Sequence, residues 1–250
     1  MISVLLENLA GGEGEGRRVL APMMPGFAGS EGIGEIEDAE DIVFHLLDLL
    51  SVLGLEGDNR PHLVGLSLGA WMAAELACRY PERIRSLTLV NPAGLYVEGA
   101  PIGEIFGQPL DELAEKVFAD TDHPAAQMMR QLGEVMRADP ASVPFEVLRP
   151  FMEAQAATAK LAWNPYLHNP RLRRRLGRVA VPTLVVAAEA DRLIPAVHAE
   201  IYAQEIPGAK LVHVAGGHML DLESPIGLAE AILHHIEAVD AASSSISSRP

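Results

Sequence analysis

Short apolar runs recur along this chain with longer amphipathic stretches between them, and that alternation restricts the fold more than any other feature. RRVLAP (17–22), PHLVGL (61–66), RSLTLVN (85–91), PTLVVAAE (182–189) and AKLVHVAG (209–216) each read as a strand. A strand with one wet face alternates apolar and polar residues. These runs scarcely alternate, so they suit strands covered on both faces. The stretches at 36–54, 67–80, 195–206 and 225–239 carry helical spacing. Parallel neighbours need a crossover, and a helix after each strand supplies it. The expected class is α/β, a mostly parallel sheet with helices on both faces.

One interval breaks the rhythm. From about Tyr96 to Arg178 the pattern is helical throughout, punctuated by Pro101, Pro109, Pro124, Pro140, Pro144, Pro150, Pro165 and Pro170. An insertion between two strands of a parallel sheet is placed to cover the strand ends, where ligands bind. The expected organisation is therefore a core in two parts, 1–95 and 179–239, around a helical cap at 96–178. The polar, low-complexity end DAASSSISSRP (240–250) is expected to be a disordered tail.

Charge and composition exclude several classes of function. The chain has 250 residues and a formal net charge of −15, which disfavours nucleic acid, whose phosphates require a surplus of Lys and Arg. The one basic run, RLRRRLGR (171–178), spaces Leu172 and Leu176 on one helix face and reads as a solvated face over a buried one. No run reaches the roughly 18 apolar residues of a membrane span. MISVLLENLA has neither a basic leader nor a cleavage site. With a single cysteine, Cys78, there is no internal disulfide, and a cytoplasmic location is expected. No cluster has metal-ligand spacing, and no cofactor is expected.

The chemistry-bearing residues lie at the ends of predicted strands. Gly65-Leu66-Ser67-Leu68-Gly69 follows the apolar run HLVG and opens a helical pattern, so Ser67 would sit on a tight strand-to-helix turn whose neighbours must be small. Alone, such a turn equally suits a capping serine. A nucleophilic serine needs a base and a group that orients the base. Of nine histidines, His218 stands in a glycine-rich loop directly after the last predicted strand, in HVAGGHMLDLESP. Asp191 follows PTLVVAAE in the turn EADRLIP, with Glu189 as the alternative two residues earlier. Ser67, Asp191 and His218 form a candidate triad.

In these segments the chain resembles the α/β-hydrolase fold superfamily: RRVLAPMMPGFAGSEG, GLSLGAW, VNPAGLYVEG, AAEADRLIP and AGGHMLDLESP together span nearly all of residues 1–240. VNPAGL followed by a helical cap is similar to the branch containing carbon–carbon bond hydrolases of ring-cleavage products and related esterases. The resemblance implies Ser67 as nucleophile, His218 as base and Asp191 as its partner. It implies the amide of Leu68 as an oxyanion donor, and Trp71 and Trp163 as pocket-lining residues, although core packing is the plainer role for each. Members usually begin with two or three strands ending in a His-Gly loop that provides a second oxyanion donor. Only 16 residues precede Arg17 here, and they fit the first helix and the turn after it, so those early strands are expected to be missing. An open sheet edge invites pairing with another chain, making a homo-oligomer an option. The expected activity is carboxylesterase-like: hydrolysis of a small ester or related acyl compound through an acyl-enzyme. The alternatives are carbon–carbon bond hydrolysis of a small ketone substrate, and a non-catalytic remnant.

Overall fold

The structure, a computed structural model, describes residues 3–11 and 16–247. Four parallel strands, β1 (His62–Leu66), β2 (Ser86–Val90), β3 (Thr183–Ala188) and β4 (Lys210–Val214), pair in chain order. β2 and β3 are buried at every residue, in keeping with their unbroken apolar runs.

Alternate side chains of the strands feed two cores. Leu87, Leu89, Val185 and Ala187 face α2 (Ala39–Val52), α3 (Leu68–Arg79) and α7 (Val197–Glu205). Val90, Leu184, Val186 and Ala188 face α1 (Ser3–Ala10), α8 (Leu220–Glu223) and α9 (Pro225–Ser247). Helix starts follow local chemistry. Asp38 caps α2 by accepting the amides of Glu40 (2.7 Å) and Asp41 (3.3 Å), while Asp41 reaches back to accept the amide of Glu37 (2.7 Å), the residue before the cap.

The interval between β2 and β3 holds three helices, α4 (Leu110–Val117), α5 (Pro124–Ala138) and α6 (Phe145–Ala162). Its two stems are tied together: Gly94 donates to the carbonyl of Leu167 (2.9 Å) and accepts the amide of Asn169 (3.0 Å). Gly94 has φ +101°, and a Cβ there would lie 2.6 Å from the Trp71 ring, so glycine is required at the crossing. Leu172 and Leu176 are fully buried beneath the exposed Arg173, Arg174 and Arg178.

Two segments depart from expectation. Residues 17–22 form no strand. The segment has no ladder bonds, Leu20 is exposed, and Pro22 lacks a donor, so β1 is an edge strand among the described residues. The supposed tail continues α9 to Ser247. Asp240 pairs with Arg85 and His62, and Ser243 and Ser244 hydrogen-bond back to Val239 and Asp240, which anchors and extends the helix. Residues 12–15 of the expected turn and 248–250 of the tail lie outside the described residues. Among the described residues no helix is long and apolar enough to cross a membrane.

Candidate active site

Ser67 occupies the hinge between β1 and α3 with φ 51° and ψ −113°, a backbone conformation that costs a non-glycine residue free energy. The turn is held from several sides. The Ser67 amide donates to the Val90 carbonyl (2.8 Å), and the Ser67 carbonyl accepts the amides of Ala70 (3.1 Å), Trp71 (3.2 Å) and Ala93 (3.3 Å). Gly65 is needed because α3 folds straight back over the strand: a Cβ there would lie 2.6 Å from Ala70 Cα and against the Gly69 carbonyl oxygen. Gly69 has the opposite surroundings, since a Cβ there would project into open space.

The three residues singled out by position lie in one hydrogen-bonded row. His218 Nε2 is 2.9 Å from Ser67 Oγ, and His218 Nδ1 is 2.7 Å from Asp191 Oδ2. A carboxylate facing Nδ1 keeps the proton on that nitrogen, so Nε2 accepts from the serine hydroxyl. The other Asp191 oxygen accepts the amides of Leu193 and Ile194, each at 2.8 Å, which fixes the carboxylate against rotation. The side chains of His218 and Asp191 are 6% and 2% exposed, so this row is largely shielded from water. Glu189 makes no side-chain bond to His218; its amide pairs with Val214.

Leu68 is the first residue of α3, and its amide has no hydrogen-bond acceptor among the described residues. It points from the positive end of a helix dipole beside Ser67. The two tryptophans sit apart. Trp71 is 2% exposed, with its indole donating to Glu75 (3.3 Å), a core position. Trp163 is 63% exposed at the end of α6, its ring 5.2 Å from that of Phe106.

Two further residues touch the row through its backbone. Asn91, buried and at φ 44°, donates from Nδ2 to the His218 carbonyl (3.0 Å) and accepts the Ala188 amide (2.7 Å). Glu223 holds the Gly217 amide (2.7 Å). Both lie in segments quoted above, VNPAGL and AGGHMLDLESP; the partners of Asn91 come from distant parts of the chain, and the Glu223 contact to Gly217, six residues away, is to backbone, so neither leaves a spacing signal. Other reactive groups are occupied elsewhere. Burial pushes the Cys78 thiol up to about 12, leaving it protonated. His198 is fully buried, donates to the Ala100 carbonyl (2.8 Å), and is held below its ordinary pKa chiefly by burial. No cluster of three or more metal-binding side chains occurs among the described residues.

Residues 1–225 match the profile of a family described as the alpha/beta hydrolase fold. The chain is 30% identical over 243 residues to the 2-hydroxymuconate semialdehyde hydrolase of Pseudomonas sp. (strain CF600), covering 90% of this chain and 78% of that protein. It is 27% identical over 209 residues to the 2-hydroxy-6-oxo-6-phenylhexa-2,4-dienoate hydrolase of Burkholderia cepacia, covering 78% and 68%. The solved structure of the enzyme of that latter name from Rhodococcus sp. strain RHA1 superposes with a TM-score of 0.61 at 23% identity, covering 87% of this chain and 74% of the other.

Proposed function

The chain belongs to the α/β-hydrolase fold family, and from that premise we propose that it is a serine hydrolase cleaving a carbon–carbon bond beside the ketone of a small dienoate. The Ser67–His218–Asp191 row carries the reaction class: a hydroxyl, a base and an orienting carboxylate, each at a strand's end and in hydrogen-bond contact.

The chemistry follows from those roles. Ser67 Oγ attacks the ketone carbon while His218 Nε2 takes the hydroxyl proton. The oxyanion forms beside the Leu68 amide and the N-terminus of α3. Collapse expels the carbon leaving group, which accepts the proton from His218. A carbon can leave from the keto tautomer of a 2-hydroxydienoate: with the hydroxyl proton moved to the carbon beside the ketone, the expelled electron pair is allylic and spreads to the 2-keto oxygen. Water, deprotonated by His218, then releases the carboxylic acid and frees Ser67.

An ester would undergo the same steps with an alkoxide leaving. The carbon–carbon reading is supported over the ester by the names of the relatives, two of which share this cleavage class across most of the chain. The test is direct. Incubation with a fluorophosphonate should add one phosphonyl group to the protein, and Ser67→Ala should abolish that adduct. Turnover of 2-hydroxy-6-oxo-6-phenylhexa-2,4-dienoate should then exceed that of p-nitrophenyl acetate in kcat/KM. The reverse order would assign the ester reaction, and an unlabelled, folded wild type would remove Ser67 from the chemistry.

A further inference from the structure

We propose that Glu223 is a positioning residue, a carboxylate clamp that fastens the first helix of the cap to the loop carrying His218, so that the seating of the cap sets the position of the imidazole. The proposal rests on the reading of His218 as the base.

Glu223 ends the four-residue helix α8, just beyond His218. Its Oε1 accepts the amides of Ala119 (2.9 Å) and Asp120 (2.8 Å), at the exit of α4, and its Oε2 accepts the amide of Gly217 (2.7 Å). One carboxylate thus takes three backbone donors from two segments about a hundred residues apart in sequence. Hydrogen bonds to an ionised acceptor are roughly twice as strong as neutral ones. On the other side of His218, Met219 donates to the carbonyl of Val117 (3.1 Å). Both chain neighbours of the histidine are therefore fastened to the end of α4, one through Glu223 and one directly.

The joint is tight. A Cβ on Gly217 would lie 2.5 Å from the Ala119 amide nitrogen and 2.8 Å from the Glu223 carboxylate. Without the clamp the loop loses its hold at Gly217 while the Gly216 carbonyl still accepts the Ala190 amide (3.0 Å), and Gly216, at φ +136°, and Gly217 give little resistance to rotation just before the histidine. Asn91 anchors the His218 carbonyl to the core, so the histidine is held between one core contact and two cap contacts. The acid's loop meets the same cap segment: Arg192 donates to the Glu115 carbonyl (2.9 Å), and the Leu193 carbonyl accepts the Gly103 amide (2.7 Å). Displacement of α4 would disturb both the base and the group that orients it, and small displacements of catalytic groups are costly to rate.

The experiment compares wild type with Glu223→Ala, Glu223→Gln and Gly217→Ala, the last a wedge driven into the same joint. Two readouts are taken: the kcat and KM of the substrate turned over by wild type, and the His218 Nδ1 proton resonance by NMR. Glu223→Ala should lower kcat about tenfold to a hundredfold with a lesser change in KM, and should broaden or shift the His218 resonance. Glu223→Gln, which keeps one acceptor oxygen, should fall between. Gly217→Ala should reproduce the spectral change without removing the carboxylate. A Glu223→Ala protein with lowered unfolding temperature but unchanged kcat and an unchanged His218 resonance would overturn the proposal, leaving Glu223 a stabilising contact only. If Glu223→Ala does not fold, Glu223→Gln and Gly217→Ala decide on the same criteria. If wild type neither reacts with phosphonate nor turns over substrate, the functional reading fails separately, and the His218 resonance in the variants still decides the clamp.

Discussion

At the scale of single residues, two glycines in one motif have different reasons to be there. Gly65 faces the returning turn of α3 with no room for a methyl group, whereas Gly69 faces open space. Gly65→Ala should therefore destabilise the fold by about 1–3 kcal/mol, the usual cost of overpacking, and Gly69→Ala should leave the urea midpoint nearly unchanged. Equal effects would contradict the assigned geometry. His198 offers a pH test. Burial lowers its pKa below 6.5, opposed by its bond to Ala100 and by Asp191. Below 6.5 the unfolded chain takes up a proton that the folded chain still refuses, so stability is present above that pH and declines as pH falls. His198→Gln should flatten the dependence of the urea midpoint on pH in that window, while His62 and His235, shifted the same way, leave a residual slope. Ser67, Asp191 and His218 were legible in the sequence because each follows an apolar strand that fixes where it emerges. Asn91 and Glu223 were not, because what they bind is backbone from other elements, and any backbone looks alike in sequence.

At the scale of elements, β1 to β4, α3 and α7 were readable to within a residue or two, and α2 to within three. Residues 17–22 were misread because their apolar character matched a strand while no ladder partner holds them. The end of α9 was misread for the opposite reason: low-complexity composition hid the Asp240 contacts with Arg85 and His62 that anchor it. On α3, facing the returning stem of the β2–β3 interval, lies the fully buried Glu75. It accepts from Trp71 Nε1 (3.3 Å) and Asn169 Nδ2 (2.6 Å), pairs with Arg79 at 2.8 Å, and has Arg175 at 3.8 Å. Removing a buried ion's partner usually costs more than the pair contributed, since the remaining charge stays desolvated. Glu75→Leu should cost about 3 kcal/mol, the low end of the usual range because both arginines reach solvent. Chemical denaturation would measure it, and a neutral result would mean that these arginines find water without rearrangement.

At the scale of the whole molecule, the helical interval between β2 and β3 is fastened unevenly. Its stems are bonded together at Gly94 and residues 167–169, and α4 is tied to the loops carrying Asp191 and His218. The connection from α5 to α6 has little holding it: Arg137–Ser142 and Pro144–Val147 are exposed, and Phe145 is 61% exposed. Chymotrypsin at low ratio should therefore cut first at Phe145, before any bond in the sheet, because exposed and weakly bonded backbone is cleaved first. Mass spectrometry of the first fragments would check this, and an initial cut in α3 or in the strands would show the cap to be the better protected part.

The same interval also divides the Ser67–His218–Asp191 row along the chain. Ser67 precedes it, whereas Asp191 and His218 follow it. In the sheet, the two sides meet at one seam, the ladder from Leu87↔Thr183 to Val90↔Val186, reinforced by Asn91 reaching the Ala188 amide and the His218 carbonyl. A polypeptide divided at the α5–α6 connection would thus yield one piece with Ser67 and no His218, and another with His218 and no Ser67. On the proposed reading of the row, neither would have activity by itself. Restored turnover on mixing would count reassembled seams, which makes this architecture a natural split reporter, with the reaction as its signal.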